Sequence, residues 1–201
     1  MAGNWKQRAG TIIASGLGSG FGGRMLCLSA QDTIAVPYEL EVEVRLDDES
    51  GAAGLVFHAD GQNKHYGFYP TNKSLRLTCF EGQSVYSWNI LNTVTSQMYR
   101  PGQWNRLRVK LKEKGKIMCF LNDELVIEIT DSSLQNGKVG LCKFRVPTAE
   151  FRNFKQAKSF PTSLISPQTR RKIKNITKNL TEFEPLSEQD LEQLVTMGSS
   201  V

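Results

Sequence analysis

Glu39, Glu41 and Glu43 stand at alternate positions of YELEVEVRL, residues 38–46, and are the residues whose type and spacing come nearest to covalent chemistry. Alternate residues of a strand point to one face about 7 Å apart, and retaining glycosidases use two carboxyls about 5 to 5.5 Å apart, one as nucleophile and one as acid. The competing reading is a charged, solvated face that discourages pairing with another strand edge. Leu40, Val42, Val44 and Leu46 alternate with the acids, so a strand with one wet side accounts for the pattern without catalysis.

A second group suits binding. His58, Asp60, Asn63, His65 and Tyr66 crowd onto the end of one strand and the loop that follows it. A sugar needs aromatic planes to stack on and polar groups for its hydroxyls. Tyr66, Tyr86 and Trp88 offer planes, and His58, Asn63, His65 and Arg76 offer polar contacts. Tyr66 shares a strand face with Phe68, so it fits a core equally well. Neither histidine has a partner at the spacing of a metal site or an activated nucleophile.

No resident metal or cofactor is expected. Asp47, Asp48, Asp60 and Asp131 are the acids a calcium ion would use, but no DxDxDG loop is present. Cys27, Cys79, Cys119 and Cys142 lie in apolar runs without a CxxC pair or a histidine at ligand spacing. They read as buried free thiols, the alternative being bridges between neighbouring strands. Arg106, Arg108, Lys110, Lys112, Lys114 and Lys116 form a basic stripe, read as a solvated face in preference to a polyanion site.

These residues need a rigid frame, and the composition supplies one. The chain has 201 residues, 39% hydrophobic and 22% charged, enough for a core without disulfide or metal staples. Its net charge of +5 is too small to imply a nucleic-acid partner, and no stretch is apolar enough to span a bilayer. Residues 1–23 are rich in Gly and Ser and lack the continuous apolar core of a secretory signal.

Periodicity divides the chain near residue 158. Before it, strands are expected over 38–46, 54–58, 66–69 and 75–80, then over 105–112, 117–121 and 125–129, with more at 136–141 and 149–154. Residues 83–100 read as a strand plus a long crossing loop. Gly-bearing and Asn-Asp turns at 113–116 and 122–124 join three of these strands into a meander. Trp104 is expected to seal one end of the core, and Gly137 and Gly140 to allow tight turning or close sheet approach. After Pro161 and Pro167, a basic segment over 166–180 and an acidic one over 180–195 predict two short amphipathic helices, with Ser187 and Asp190 placed as a capping box. The ending MetGlySerSerVal reads as a cut from a longer parent.

GlyLeuValPheHisAlaAspGly and HisTyrGlyPheTyr within 54–69, ProGlyGlnTrpAsnArgLeuArgVal at 101–109, PheLeuAsnAspGlu at 120–124 and AsnGlyLysValGlyLeu at 136–141 occur in a telling order. Over about residues 4–156 the chain resembles the laminin G-like and 3-keto-disaccharide hydrolase-like modules, which are concanavalin A-like. The resemblance implies an all-β, antiparallel two-sheet jelly-roll sandwich over 1–157, here followed by a linker and short helical extension over 158–201. It implies recognition of a glycan or a protein surface through a concave sheet and its rim loops, and it admits an extracytoplasmic setting. Its relatives include glycoside hydrolases and sugar lyases, and the alternating acids superficially resemble the ExDxE strand of such enzymes, with Glu41 at the central position. A third reading makes the domain a structural part of a larger helical-repeat protein.

Overall fold

Alternation in residues 38–46 buries Leu40, Val42, Val44 and Leu46 and turns Glu39, Glu41, Glu43 and Arg45 to the other side. The same rule repeated along the chain yields two stacked antiparallel sheets in a computed structural model, which describes residues 3–18 and 21–161. The strands are β1 (Asn4–Arg8), β2 (Thr11–Ser15), β3 (Met25–Leu28), β4 (Tyr38–Arg45), β5 (Ala52–Ala59), β6 (Lys64–Thr71), β7 (Ser74–Glu81), β8 (Trp88–Val94), β9 (Asn105–Lys112), β10 (Lys116–Leu121), β11 (Glu124–Thr130), β12 (Lys138–Phe144) and β13 (Thr148–Ala157).

One sheet has seven strands in the order β1-β2-β13-β4-β9-β10-β11, the other six in the order β3-β12-β5-β6-β7-β8. Runs β5 to β8 and β9 to β11 are meanders of neighbouring strands. The late strands β12 and β13 return to lie between β3 and β5 and between β2 and β4, which closes the jelly roll. Asn72–Lys73, Lys114–Gly115 and Asn122–Asp123 take positive φ at the hairpin tips, matching the twist of the strands they join. Leu40, Val42, Leu55, Phe57, Tyr66, Phe68, Leu107, Val109 and Phe151 meet between the sheets. A Cβ at Gly140 would run into the carbonyl of Cys27 on β3, so that position needs the bare backbone for close strand approach.

Three strands form from residues that carry no strand signal. β1 carries a single half-buried residue, Trp5, and sits at a sheet edge, so it shows almost no hydrophobic alternation. β2 and β3 are only four or five residues long and are largely half-buried, beside Gly-rich connections. Trp104 departs from expectation. It lies on the outer side of the seven-stranded sheet, with Arg45 at 5.4 Å and Arg152 at 4.2 Å over its ring, instead of sealing the core. The reason is parity: Asn105, Leu107 and Val109 point inward, which sends Trp104 outward with Arg106 and Arg108.

The chain divides into two units, Met1–Ser159 and Phe160–Val201. The two expected helices over 166–195 lie outside the described residues.

Candidate functional site

On β6, Tyr66 and Phe68 point into the sandwich, which leaves His65, Gly67 and Tyr69 on the outer side; on β7, Leu75, Leu77 and Cys79 point in and Arg76, Thr78 and Phe80 point out. Register places His65 opposite Phe80, Gly67 opposite Thr78 and Tyr69 opposite Arg76, and β8 sets Trp88 opposite Phe80. An antiparallel sheet normally turns a polar face to water. Here Ala52, Val56, Tyr69, Phe80, Cys142 and Phe144 form a second apolar cluster on the outer side of the six-stranded sheet.

The cluster is built from rings. Phe80 lies nearly parallel to Phe144, with centroids 5.7 Å apart at 8°, and to Trp88 at 5.9 Å and 15°. Tyr69 tilts against Phe144 at 5.1 Å, and Phe21 against Trp88 at 6.0 Å. Tyr69 crosses above Gly67, where a Cβ would strike its ring, so glycine there lets the aromatic lie flat on the sheet. Two cations rest on the rings: Arg24 sits 4.6 Å from the centroid of Phe80 and Arg76 5.7 Å from that of Trp88.

Arg24 is fully buried and tied into place. It donates to the carbonyl of Asn63 at 3.4 Å, to Asn63 Oδ1 at 3.2 Å and to His65 Nε2 at 3.3 Å. His65 donates from Nδ1 to the carbonyl of Tyr66 at 3.2 Å. With one nitrogen donating and the other accepting from a guanidinium, the imidazole is neutral. Burial, and then the neighbouring Arg24 charge, push its pKa down to about 3. Burial pushes Tyr69 up to about 12, and its hydroxyl lies 3.1 Å from Thr78 Oγ1. Tyr69, Phe80 and Phe144 are buried, so the reachable part of this face is its edge: Trp88, Arg76 and Asn63 are half-buried, and Tyr86 is 94% exposed nearby in sequence. Trp88 Nε1 is buried toward the Tyr69 hydroxyl, and Arg76 Nε is buried without a hydrogen-bond partner among the described residues.

Of the seven residues expected to bind a ligand, Asn63, His65, Arg76 and Trp88 therefore share this face, Tyr86 is exposed on the short turn before β8, and His58 and Tyr66 lie elsewhere. Gly140 pairs with Val56 and Lys138 with Ala59, so β5 carries one residue more than its partner strand, and His58 takes a φ of 50°. This bulge turns His58 inward beside Phe57, with its ring 5.9 Å from Tyr66 and 6.2 Å from Tyr38. His58 Nδ1 donates to the carbonyl of Leu134 at 2.9 Å, and burial lowers its pKa. Tyr66 is a core residue whose hydroxyl donates to Asp131 and accepts from the backbone N–H of Leu134 at 3.1 Å.

The three glutamates occupy the outer side of the other sheet, each among cations. Glu39 is buried, with Lys110 at 2.7 Å and Arg108 at 3.8 Å. Glu43 has Arg152 at 2.6 Å and Asn153 at 2.9 Å; burial raises its pKa, but these bonds outweigh burial and hold it low. Glu41 has Lys155 at 4.0 Å. Two of the six residues of the basic stripe, Arg108 and Lys110, are thus spent on Glu39 of the neighbouring strand. Asp48, Asp60 and Asp131 accept backbone N–H groups of their own loops, and no group of three or more His, Cys, Asp or Glu gathers among the described residues. All four cysteines are free.

Arg24, Tyr69, Thr78, Phe80 and Phe144 were not foreseen as parts of a site. Tyr69 and Phe80 could have been found from parity, since once Tyr66 and Phe68 face the core their alternates must face away. Arg24 gave no signal, because its partners lie 39 and 41 residues away in sequence.

Comparison with known proteins agrees with this architecture. The model of a family described as 3-keto-alpha-glucoside-1,2-lyase-like domains matches residues 3–156. No curated protein sequence matches. Among solved structures, the carbohydrate-binding module CBM66 from Bacillus subtilis superposes with a TM-score of 0.66 at 19% identity, over 77% of this chain and 91% of that one. A. japonicus CB05 gives 0.54 at 10% identity, over 79% and 27%. The receptor binding domain of botulinum neurotoxin D gives 0.51 at 11% identity, over 88% and 47%, so this chain spans about half of its length. At these identities the likeness is one of fold.

Proposed function

The chain belongs to the family of 3-keto-alpha-glucoside-1,2-lyase-like domains, and from that premise we propose that it is a recognition module that holds a saccharide at the edge of the outer face of its six-stranded sheet. The observation that carries this reading is the ladder Phe144–Phe80–Trp88, which ends in a half-exposed indole with Arg76 beside it. A sugar stacks its C–H face on Trp88, while Arg76 and Asn63 hydrogen-bond its hydroxyls. Phe80, Phe144, Tyr69 and Arg24 lie beneath and fix those groups, so little is reorganised on binding. The likeness to a carbohydrate-binding module supports the reading at the level of fold.

The enzymatic alternative assigns the chemistry to Glu39, Glu41 and Glu43. Against it stands the charge balance of that row, since a carboxylate held by Lys110 or Arg152 is a poor proton donor. The test is a panel of oligosaccharides titrated calorimetrically into the protein and into Trp88→Ala. At least one saccharide is expected to bind, with affinity lost by about tenfold or more in the variant. Absence of any binding partner in the panel, or binding indifferent to Trp88, would refute the proposal.

A further inference from the structure

A sheet edge presents unpaired backbone N–H and C=O groups, and proteins guard it with charge, with proline or by keeping the strand short. Among the described residues the two sheets end in four edge strands, and three are guarded. β1 carries Lys6 and Arg8, β11 carries Glu124 and Glu128, and β3 is only four residues long. The fourth, β8, has seven residues and reads WNILNTV, without a charge or a proline. A bulge at Leu91 is its one irregularity, and that extra side chain packs against the core. The lack of charge extends beyond the strand. Residues 82–99 hold no Asp, Glu, Lys or Arg, the longest such run in the chain, and residues 9–23 are the next longest. The two runs meet, since Phe21 tilts against Trp88 and Leu17 packs beside Gly23 in the turn that holds Phe21. They contain Leu17, Phe21, Val85, Tyr86 and Ile90, five of the six large apolar side chains exposed among the described residues.

We infer that β8 pairs antiparallel with β8 of a second copy of this chain, joining two six-stranded sheets edge to edge across a two-fold axis. The choice of partner follows from charge. A two-fold axis sets a strand against itself, so a charge on the strand meets its like across the pair. Cationic β1 and anionic β11 are repelled by their own copies, and β8 is not. A foreign peptide or an anionic lipid surface is selected by charges beside the docking edge, and residues 82–99 offer none. Register turns Ile90 outward, opposite Thr78, and 49% of it is exposed; pairing at the edge covers it. The new hydrogen bonds lie in the plane of the sheet, so the inference stands apart from any ligand on the ring face.

Sedimentation of the full chain from about 1 to 100 μM is expected to show a monomer–dimer equilibrium. Ile90→Lys and Thr93→Lys, both at exposed positions of β8, enter a two-fold interface twice and are each expected to raise the dissociation constant at least about tenfold. Leu125→Lys, a similarly exposed apolar position on the β11 edge, is expected to leave it unchanged. The outward-pointing β8 amides are expected to exchange with deuterium more slowly as protein concentration rises. A chain that stays monomeric at about 100 μM overturns the inference, whether its β8 amides exchange fast or are covered from within the chain and exchange slowly. So does a dimer that Leu125→Lys breaks and both β8 variants spare. Binding of a monomer to phosphatidylcholine vesicles, lost in Ile90→Lys, would give the edge to a lipid surface and equally refute pairing with a second copy.

Discussion

Arg24 donates from Nη1 to Nε2 of His65 across 3.3 Å inside a fully buried pair, a bond that exists only while the imidazole is unprotonated. The pair stands under the aromatic ladder, so the geometry of the proposed site depends on a histidine kept neutral.

Acid should therefore loosen the fold before the carboxylates titrate. The pKa of His65 is depressed from 6.5 to about 3, so below pH 6.5 the unfolded chain takes up a proton that the native state refuses. Stability from this group is complete above 6.5 and falls as pH drops through the window down to about 3, by ~2 kcal/mol between pH 6.5 and 5. His58, also depressed by burial, acts in the same direction. Urea unfolding followed across pH 5 to 8 measures the slope. His65→Gln, which keeps an acceptor for Arg24, is expected to flatten it; an unchanged slope would show that His65 is not the titrating group.

Glu39→Gln and Glu41→Gln should differ in stability and agree in function. Glu39 is buried between Lys110 and Arg108, so losing its charge leaves two cations poorly answered and is expected to cost about 1 to 2 kcal/mol, discounted because both cations reach solvent. Glu41 faces Lys155 at 4.0 Å, a pair with an exposed cation, and its loss should cost no more than about 0.5 kcal/mol. Thermal melts give both numbers. Saccharide binding should survive each change. If either variant abolished turnover of a sugar substrate while folding normally, the outer row of acids would be catalytic after all.

Much of this frame could be read from the residues. YELEVEVRL announced β4 and its two faces, and the turn residues at 113–116 and 122–124 placed β9, β10 and β11. Tyr66 and Phe68 were visible as sharing one face of β6. The site was legible only in pieces. His58 follows from a single inserted residue, which breaks the alternation a reader relies on. Phe144 meets Phe80 because β12 enters the sheet between β3 and β5, and local sequence carries no record of strand order. Trp104 misled for the converse reason: a large ring suggests a core, but alternation set it between two arginines outside.

Thiol chemistry should distinguish Cys27 from the rest. Cys27 and Cys142 lie on the paired strands β3 and β12, but Cys27 packs toward the sandwich interior and Cys142 belongs to the outer cluster, so no bridge joins them. Burial pushes the thiols of Cys79 and Cys142 up to about 12 and raises that of Cys119 further still. A disulfide reagent applied to the native protein is expected to modify Cys27 alone among the four, slowly because burial raises its pKa as well. The other three should react only as the fold opens in denaturant. Mass spectrometry of the labelled protein locates the adducts, and rapid native labelling of Cys142 would contradict the closed ring cluster.

The contribution of Arg76 to binding can be isolated from that of Trp88. Arg76 rests on the indole at 5.7 Å and is half-buried, so Arg76→Met keeps an unbranched chain over the ring and removes the charged fork. The melting temperature should change little, because an exposed cation–π contact is worth about 0.5 to 1 kcal/mol. Saccharide affinity should fall about five- to tenfold through the loss of hydrogen bonds to sugar hydroxyls, and most of all for sugars bearing a carboxylate or sulfate, where those bonds are charge-assisted. Calorimetry with matched neutral and acidic sugars makes the comparison. Equal affinity of the parent and Arg76→Met for both sugars would confine recognition to the face of Trp88 and remove the guanidinium from the site.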